Sequence, residues 1–247
     1  MKTFNLPTLL LSIYLTLNSM SASAVLERVG PVDPANGFPK WYMDTTGLAL
    51  ELCLPQNAAE VDGAYCLLVA GDPPSVPEVF PSAFFDEHFY GGGGALFVHP
   101  KRDTVLVMHM EAAFANGAAI PGDQIVFTRI RVHLNPAPTT GAYRFIHPYG
   151  EETFNVNAGD RIYFSDDVGL CGNFACAMQG RFGPFLLPSA VPGGAEQPPV
   201  AGPAGRLYIA DPTRLGPITG SPLPDFLGND GILRNHNIFR IEGPPGS

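Results

Sequence analysis

The sequence has no apolar run long enough to cross a bilayer, which takes about 20 residues. Its longest, Leu6 through Leu17, covers about a dozen residues. Lys2 precedes this run and the small residues Ala22–Ala24 follow it, which is the order of a cleavable secretory signal. An uncleaved N-terminal anchor is the alternative, and the short run argues against it. We therefore expect a signal peptide over residues 1–24, a secreted or periplasmic product, and no stable membrane insertion after cleavage.

Positive charge is also scarce. The chain has 14 Lys and Arg against 23 Asp and Glu, a formal net charge of −9. Residues 1–24 contain one lysine and no acidic residue. Without them the chain has 13 basic and 23 acidic residues, a formal net charge of −10. The longest basic cluster is Lys101-Arg102. Because an acidic surface repels phosphate backbones, the sequence argues against a nucleic-acid partner.

Cysteine is limited to four residues, which fall into two local pairs. Export places them in an oxidising compartment, where we expect the disulfides Cys53–Cys66 and Cys171–Cys176. Four cysteines permit three connectivities, so the pairing rests on proximity alone. A zinc site is the weaker interpretation, because neither pair has the closely spaced arrangement typical of zinc ligands.

Glycine and proline, in contrast, are abundant, with 28 and 26 residues. So many turn formers disfavour a helical protein, while plentiful Leu, Val, Ile and Phe disfavour disorder. We predict an all-β fold: an antiparallel β-sandwich, immunoglobulin-like or jelly-roll-like, with long Pro/Gly-rich loops and at most one or two short helices. Residues 25–247 are expected to form a single domain with a long loop at about 188–205, since some 40 C-terminal residues are too few for a separate core.

Alternation of apolar and polar residues identifies the central strands. Residues 103–114 and 124–134 alternate and are joined by turn residues, so we predict an adjacent antiparallel pair with Glu111 near Arg129. Residues 47–54 alternate in the same way. Shorter strands continue the predicted meander at 143–147, 153–156 and 161–164, and a last one lies within 237–242.

Residues 81–90 and 91–94 are predicted to form a helix and a turn rather than strands. Residues 81–90 carry Ser82 as a helix N-cap, and Phe85 and Phe89 are spaced to share a helical face, which predicts one short helix. Gly91–Gly94 lacks the Gly-Lys-Ser/Thr ending of a phosphate-binding loop and is interpreted as a flexible turn.

Several segments together resemble a group of secreted bacterial proteins of unassigned function. The first is Asn-Gly-Phe-Pro-Lys-Trp-Tyr at residues 36–42, followed by Gly-Leu-Ala-Leu-Glu-Leu-Cys-Leu at 47–54. The others lie at residues 111–117, 122–127 and 147–150, the last reading His-Pro-Tyr-Gly. Some members carry additional immunoglobulin-like modules. The resemblance implies an extracellular compartment and no particular activity.

Metal-ligating residue types occur in three places. His147 and Glu151 lie within one short segment that suits zinc or another divalent ion, although its Pro and Gly also mark an ordinary turn. Asp166 and Asp167 precede the Cys171–Cys176 loop, where oxygen ligands would suit calcium. No other cofactor is predicted.

The third place is a predicted sheet face that carries His109, Glu111 and His133. A metal site there requires the three side chains to converge, whereas pairing of Glu111 with Arg129 gives a purely structural reason for the charges.

No catalytic motif is present: there is no Gly-x-Ser-x-Gly elbow, and the cysteines are assigned to disulfides. A triad assembled from distant residues is left open. Trp41, Tyr42 and Tyr149 lie near predicted loops, where exposed aromatics bind sugars or proteins and buried ones close the core. The leading hypothesis is a non-catalytic module that binds or scaffolds a protein, glycan or cell-envelope partner. The alternatives are a metal-dependent secreted hydrolase and a self-assembling structural subunit.

Overall fold

Antiparallel strands dominate the computed structural model, which describes residues 25–99, 102–211 and 213–247. Strands make up 41% of the residues and helices 5%, which confirms the predicted all-β class. The predicted signal peptide, residues 1–24, lies outside the described residues, as does Lys101. Among the helices that the structure describes, none is long and apolar enough to span a membrane.

Sixteen strands and two short helices follow one another in the described residues. In chain order they are β1 (Leu26–Val29), β2 (Trp41–Asp44), β3 (Ala49–Glu51), α1 (Ala58–Asp62), β4 (Glu87–His99), β5 (Arg102–Phe114), β6 (Gln124–Asn135), β7 (Gly141–His147), β8 (Gly150–Val156), β9 (Ile162–Val168), a 3₁₀ helix (Phe174–Gln179), β10 (Leu187–Pro188), β11 (Val200–Ala201), β12 (Leu207–Tyr208), β13 (Ile218–Thr219), β14 (Phe226–Leu227), β15 (Leu233–Arg234) and β16 (Arg240–Glu242).

The largest sheet has the order β4-β5-β6-β9, and each neighbouring pair is antiparallel. The central pair, β5 and β6, is the one that the alternating sequence predicts, and it is confirmed. The predicted ion pair is present as well, since Arg129 Nη1 donates to both carboxylate oxygens of Glu111 at 3.1 Å.

The second large sheet has the order β16-β7-β8. β7 and β8 form the predicted hairpin, but the expected meander does not continue into β9, which pairs with β6 in the other sheet. This crossing brings Ile162 into the shared core, where it is 2% exposed. The rings of Phe154 on β8 and Phe164 on β9 contact each other with centroids 5.9 Å apart, which links the two sheets.

Apolar side chains between these sheets form one core. Leu106, Met108 and Met110 on β5 are buried together with Tyr143 and Phe145 on β7. Full burial of a large apolar side chain contributes about 1.5–3 kcal/mol. The alternating faces of β5 and β7 therefore account for the layered arrangement.

The C-terminal segment returns to the core through β16, which pairs with β7. Phe239, just before β16, stacks on Phe97 with ring centroids 5.1 Å apart and on Phe145 at 6.4 Å. A single domain over residues 25–247 stays a prediction, and this pairing supports it.

The helix predicted over residues 81–90 is wrong. Residues 87–99 form β4, which pairs with β5 from Glu87↔Ala113 to His99↔Arg102. The interpretation of Gly91–Gly94 as a turn is wrong for the same reason, because all four glycines lie inside β4. Hydrogen bonding to the long strand β5 outweighs the low strand propensity of glycine.

Both predicted disulfides are confirmed. Cys53 is bonded to Cys66 and Cys171 to Cys176, with Cα–Cα distances of 5.3 and 6.1 Å. The first bond joins the segment after β3 to the segment after α1. The strand predicted over residues 47–54 is shorter than expected, since β3 covers Ala49–Glu51 and Cys53 forms an isolated bridge with Phe89 of β4.

Candidate functional site

A cleft of about 960 Å³ lies beside the glycine segment of β4. Its floor consists of Gly91–Ala95 on β4 with Leu106 and Met108 of β5. Pockets for small ligands have volumes of about 300–1,000 Å³ and are mostly apolar. The cleft therefore has the size and lining of a small-molecule site.

The glycines create the space above the floor. A Cβ atom on Gly93 would meet only Met108 Cε, at 3.6 Å, which is an ordinary contact. A Cβ atom on Gly91 would meet Leu50 Cδ1 at 2.8 Å. Leu50 therefore fills the position beside Gly91, whereas the absence of a side chain at Gly93 leaves space in the cleft.

The walls come from several separate parts of the chain. β3 contributes Leu50, and the segment held by the Cys53–Cys66 disulfide contributes Tyr65 and Leu67. The segment after the 3₁₀ helix contributes Phe182 and Phe185. Residues near β12, β13 and β16 complete the wall: Leu207, Tyr208, Ile209, Ile218, Ile238 and Phe239.

Arg206 lines the cleft and is anchored by a buried carboxylate. Its Nη2 donates to Leu54 O at 2.7 Å and to Glu60 Oε2 at 3.0 Å. The Tyr208 hydroxyl donates to Glu60 Oε1 at 2.5 Å, and the side chain of Glu60 is fully buried. Burial alone would raise the pKa of Glu60, but hydrogen bonds from Tyr208, the Gln56 amide and Arg206 outweigh it and lower that pKa. Burial, followed by the bond to Glu60, raises the pKa of Tyr208 to about 12.

A second cation, Arg214, also lines the cleft. Its Nη1 donates to Pro198 O at 3.2 Å. Within the described parts of the chain it forms no ion pair, in contrast to Arg206. Arg214 is therefore a positive charge beside an apolar surface with no carboxylate of the described residues within ion-pair distance, although its charge, after the hydrogen bonds from Thr213, helps to lower the pKa of Asp211.

Two buried polar atoms on residues of the cleft have no hydrogen-bond partner within the residues described: Arg206 Nε and Asn237 Oδ1. Asn237 is only 7% exposed. Unpartnered buried atoms of this kind are the exception in folded proteins. The polar groups around the cleft are thus incompletely satisfied by the protein itself.

His147 and Glu151, the predicted metal candidates, lie on opposite faces of the β7-β8 hairpin. Ile146 is the residue paired with Glu151, so the adjacent His147 points the other way, into the core. Glu151 accepts from Arg144 at 2.8 Å and contacts His236 Nε2 at 3.0 Å. The structure therefore separates the two candidates.

His147 is fully buried, and its Nδ1 accepts a hydrogen bond from the Tyr149 amide at 3.3 Å. Burial, with smaller effects from Arg181 and His236, lowers the pKa of His147 to about 3. The imidazole is therefore neutral at physiological pH.

Asp166 and Asp167 are likewise directed to opposite faces, here of β9. Arg181 Nε donates to Asp166 Oδ2 at 2.9 Å, while Arg129 binds both oxygens of Asp167 at 2.8 Å. Both carboxylates are thus held by arginines. Across residues 25–99, 102–211 and 213–247, no group of three or more His, Cys, Asp or Glu side chains is placed to hold a metal ion.

The proposed convergence of His109, Glu111 and His133 is not found. His109 Nδ1 lies 3.4 Å from Glu111 Oε1, but His133 is paired with Val105, four positions along β5 from His109. His133 instead contacts the ring of Tyr163, with centroids 6.0 Å apart.

Of the two alternatives that the sequence left open for the aromatics, burial in the core applies to Tyr42 and Tyr149. They are 0% and 3% exposed, and their hydroxyls donate to Phe174 O and Pro184 O, both at 2.8 Å. Burial raises the pKa of both phenols. Trp41 is half-buried on β2, where its ring faces Gly30. Tyr42 and Tyr149 therefore belong to the core, and alternation along β2 turns the adjacent Trp41 to the other face of that strand.

Comparison of the chain with models of protein families, with curated proteins and with solved structures finds no match.

Proposed function

We propose that this protein is a binding module whose cleft holds an apolar ligand. The observation that carries the proposal is the volume of about 960 Å³ beside the glycine segment of β4, with many Leu, Ile, Phe and Tyr side chains in its lining. Apolar area that a ligand covers here contributes about 25 cal/mol for each Å². Polar side chains at and beside β12, Arg206 and Tyr208, also line the cleft and would orient the ligand.

We propose in addition that the protein acts outside the cytosol. The secretory pattern of residues 1–24 and the disulfides Cys53–Cys66 and Cys171–Cys176 support this location. The protein, glycan or cell-envelope partner expected from the sequence stays a prediction.

The test is a titration with Nile red, an uncharged dye that becomes fluorescent in apolar surroundings. Wild-type protein is expected to bind the dye saturably, with one high-affinity site. The variant Gly93→Leu places a side chain into the cleft without a clash with the main chain, and it should weaken binding by about tenfold or more.

Gly172→Leu is the matched control. Gly172 is exposed, and a Cβ atom there would meet nothing within 4 Å, so this variant should bind like wild type. Thermal unfolding of all three proteins verifies that they are folded. Absence of saturable binding by wild type, or equal binding by a folded Gly93→Leu protein, would refute the cleft as the site.

A further inference from the structure

We propose that the ligand of the cleft is an anionic amphiphile: a single acyl chain that lies over the glycine floor and ends in a carboxylate bound by Arg214. This inference rests on the proposed function, because it specifies the chemistry of the ligand in the same cleft.

The cleft does not share the excess of negative charge found in the chain as a whole. The chain carries a net charge of −9, with 23 acidic residues. The charged residues lining the cleft are Glu51, Arg206 and Arg214, and Glu60, which Arg206 contacts, brings the local balance to zero. A cleft without net negative charge admits an anionic head group if one of its cations is free to bind it.

Of the two cations, Arg214 is the one available to a ligand. Arg206 is neutralised by the buried Glu60 at 3.0 Å. Asp211 is the nearest acid to Arg214 along the chain, but its Oδ1 is occupied by the amide and hydroxyl of Thr213, and no ion pair within 4.0 Å joins it to Arg214. A guanidinium binds a carboxylate through two parallel hydrogen bonds, which suits this end group.

The remaining lining defines the other end of the ligand. Leu50, Phe182 and Phe239 provide apolar contact, and Gly93, whose Cβ position has only Met108 Cε nearby at 3.6 Å, leaves room for a chain beside the backbone of β4. A volume of about 960 Å³ corresponds to one small molecule rather than to a bilayer surface. We therefore assign the site to a monomeric amphiphile.

The experiment compares dodecanoate with dodecanol, which has the same chain and no charge, by displacement of Nile red at about pH 7, where the carboxylate is ionised. Wild type is expected to bind dodecanoate at least about tenfold more tightly. Arg214→Gln should abolish this preference and leave the affinity for dodecanol unchanged. Arg161→Gln is the control, since Arg161 contacts His133 and Tyr163 and does not line the cleft.

The outcomes separate the two proposals. Equal affinity of wild type for both compounds, or a preference retained by Arg214→Gln, would overturn the assignment of the head group while leaving an apolar site in place. Absence of saturable dye binding by wild type would overturn the proposed function itself. Dye binding that neither compound displaces would overturn the assignment of the ligand as an amphiphile. Capture of the protein by vesicles of anionic phospholipid, without binding of monomeric dodecanoate, would indicate that the protein binds a membrane surface and would refute the inference.

Discussion

His147 shows how strand geometry decides the properties of a single residue. As the last residue of β7 it points inward, where the sandwich leaves its imidazole fully buried. The unfolded chain binds a proton at this position below about pH 6.5. The folded protein does not do so until the pKa of about 3 is reached. Between these values the unfolded state holds more protons, so stability decreases as the pH falls.

Replacement of His147 by Gln is therefore expected to reduce the acid sensitivity of the protein. Between about pH 7 and about pH 5, the loss of unfolding free energy should be about 2 kcal/mol smaller in His147→Gln than in wild type, since each pH unit below the unfolded pKa corresponds to about 1.4 kcal/mol. Urea unfolding at the two pH values measures this difference. An identical loss in both proteins would show that His147 takes up a proton in the folded state.

The metal candidates illustrate what residue types alone cannot establish. The sequence places His147 close to Glu151 and Asp166 next to Asp167, and these residue types do bind metals. Strand alternation separates each pair onto two faces, and arginines bind the three carboxylates. The partners, Arg144, Arg181 and Arg129, lie on other strands or loops, so no local pattern indicates them.

At the scale of elements, β4 is held in place by main-chain contacts that only glycine permits. A Cβ atom at Gly94 would lie 2.8 Å from the carbonyl oxygen of Leu106, whereas one at Gly93 would make only an ordinary contact with a methionine methyl group. Neighbouring positions in the same strand therefore tolerate a methyl group very differently.

We expect Gly94→Ala to lower the unfolding free energy by about 1–3 kcal/mol, because the β4 and β5 backbones must shift apart. Gly93→Ala, the matched variant, should be neutral or stabilising by up to about 1 kcal/mol, since alanine restricts the unfolded chain. Chemical denaturation of both variants beside wild type gives the two values. Equal effects would mean that the backbone contact at Gly94 is not tight.

Neighbouring strands of this sheet show where sequence reasoning succeeds and where it does not. β5 and β6 alternate between two faces over residues 106–111 and 126–134, and that pattern correctly predicts both the strands and their pairing. In β4 the four glycines carry no pattern, and the spacing of Phe85 and Phe89 fits a helix as well as a strand. A tertiary partner, β5, decides the outcome.

At the scale of the whole molecule, the cleft could not be predicted, because its lining comes from segments between residues 48 and 239. Each segment alone looks like an ordinary loop or short strand. The single signal in the sequence was the run of glycines before an apolar strand, which marks a close approach to the backbone. The two disulfides, in contrast, followed from the proximity of the cysteines.

The return of the C-terminus to the core predicts a cooperative effect of truncation. A chain ending at Ile238 lacks β16 and the ring of Phe239, so it should lose about 3 kcal/mol or more of unfolding free energy, comparable to removal of a buried aromatic side chain. A chain ending at Gly243 keeps both and should lose less than about 1 kcal/mol. Thermal unfolding compares the two. If the shorter chain melted like the longer one, the C-terminal segment would not belong to the same cooperative unit.

The glycine floor has a practical consequence for any survey of this protein by mutation. Scans that trim side chains to alanine reveal the surfaces on which those side chains act, and over Gly91–Gly94 there is nothing to trim. The close approach of β4 to the β5 main chain at Gly94 would pass such a survey unnoticed. It becomes visible only when atoms are added rather than taken away.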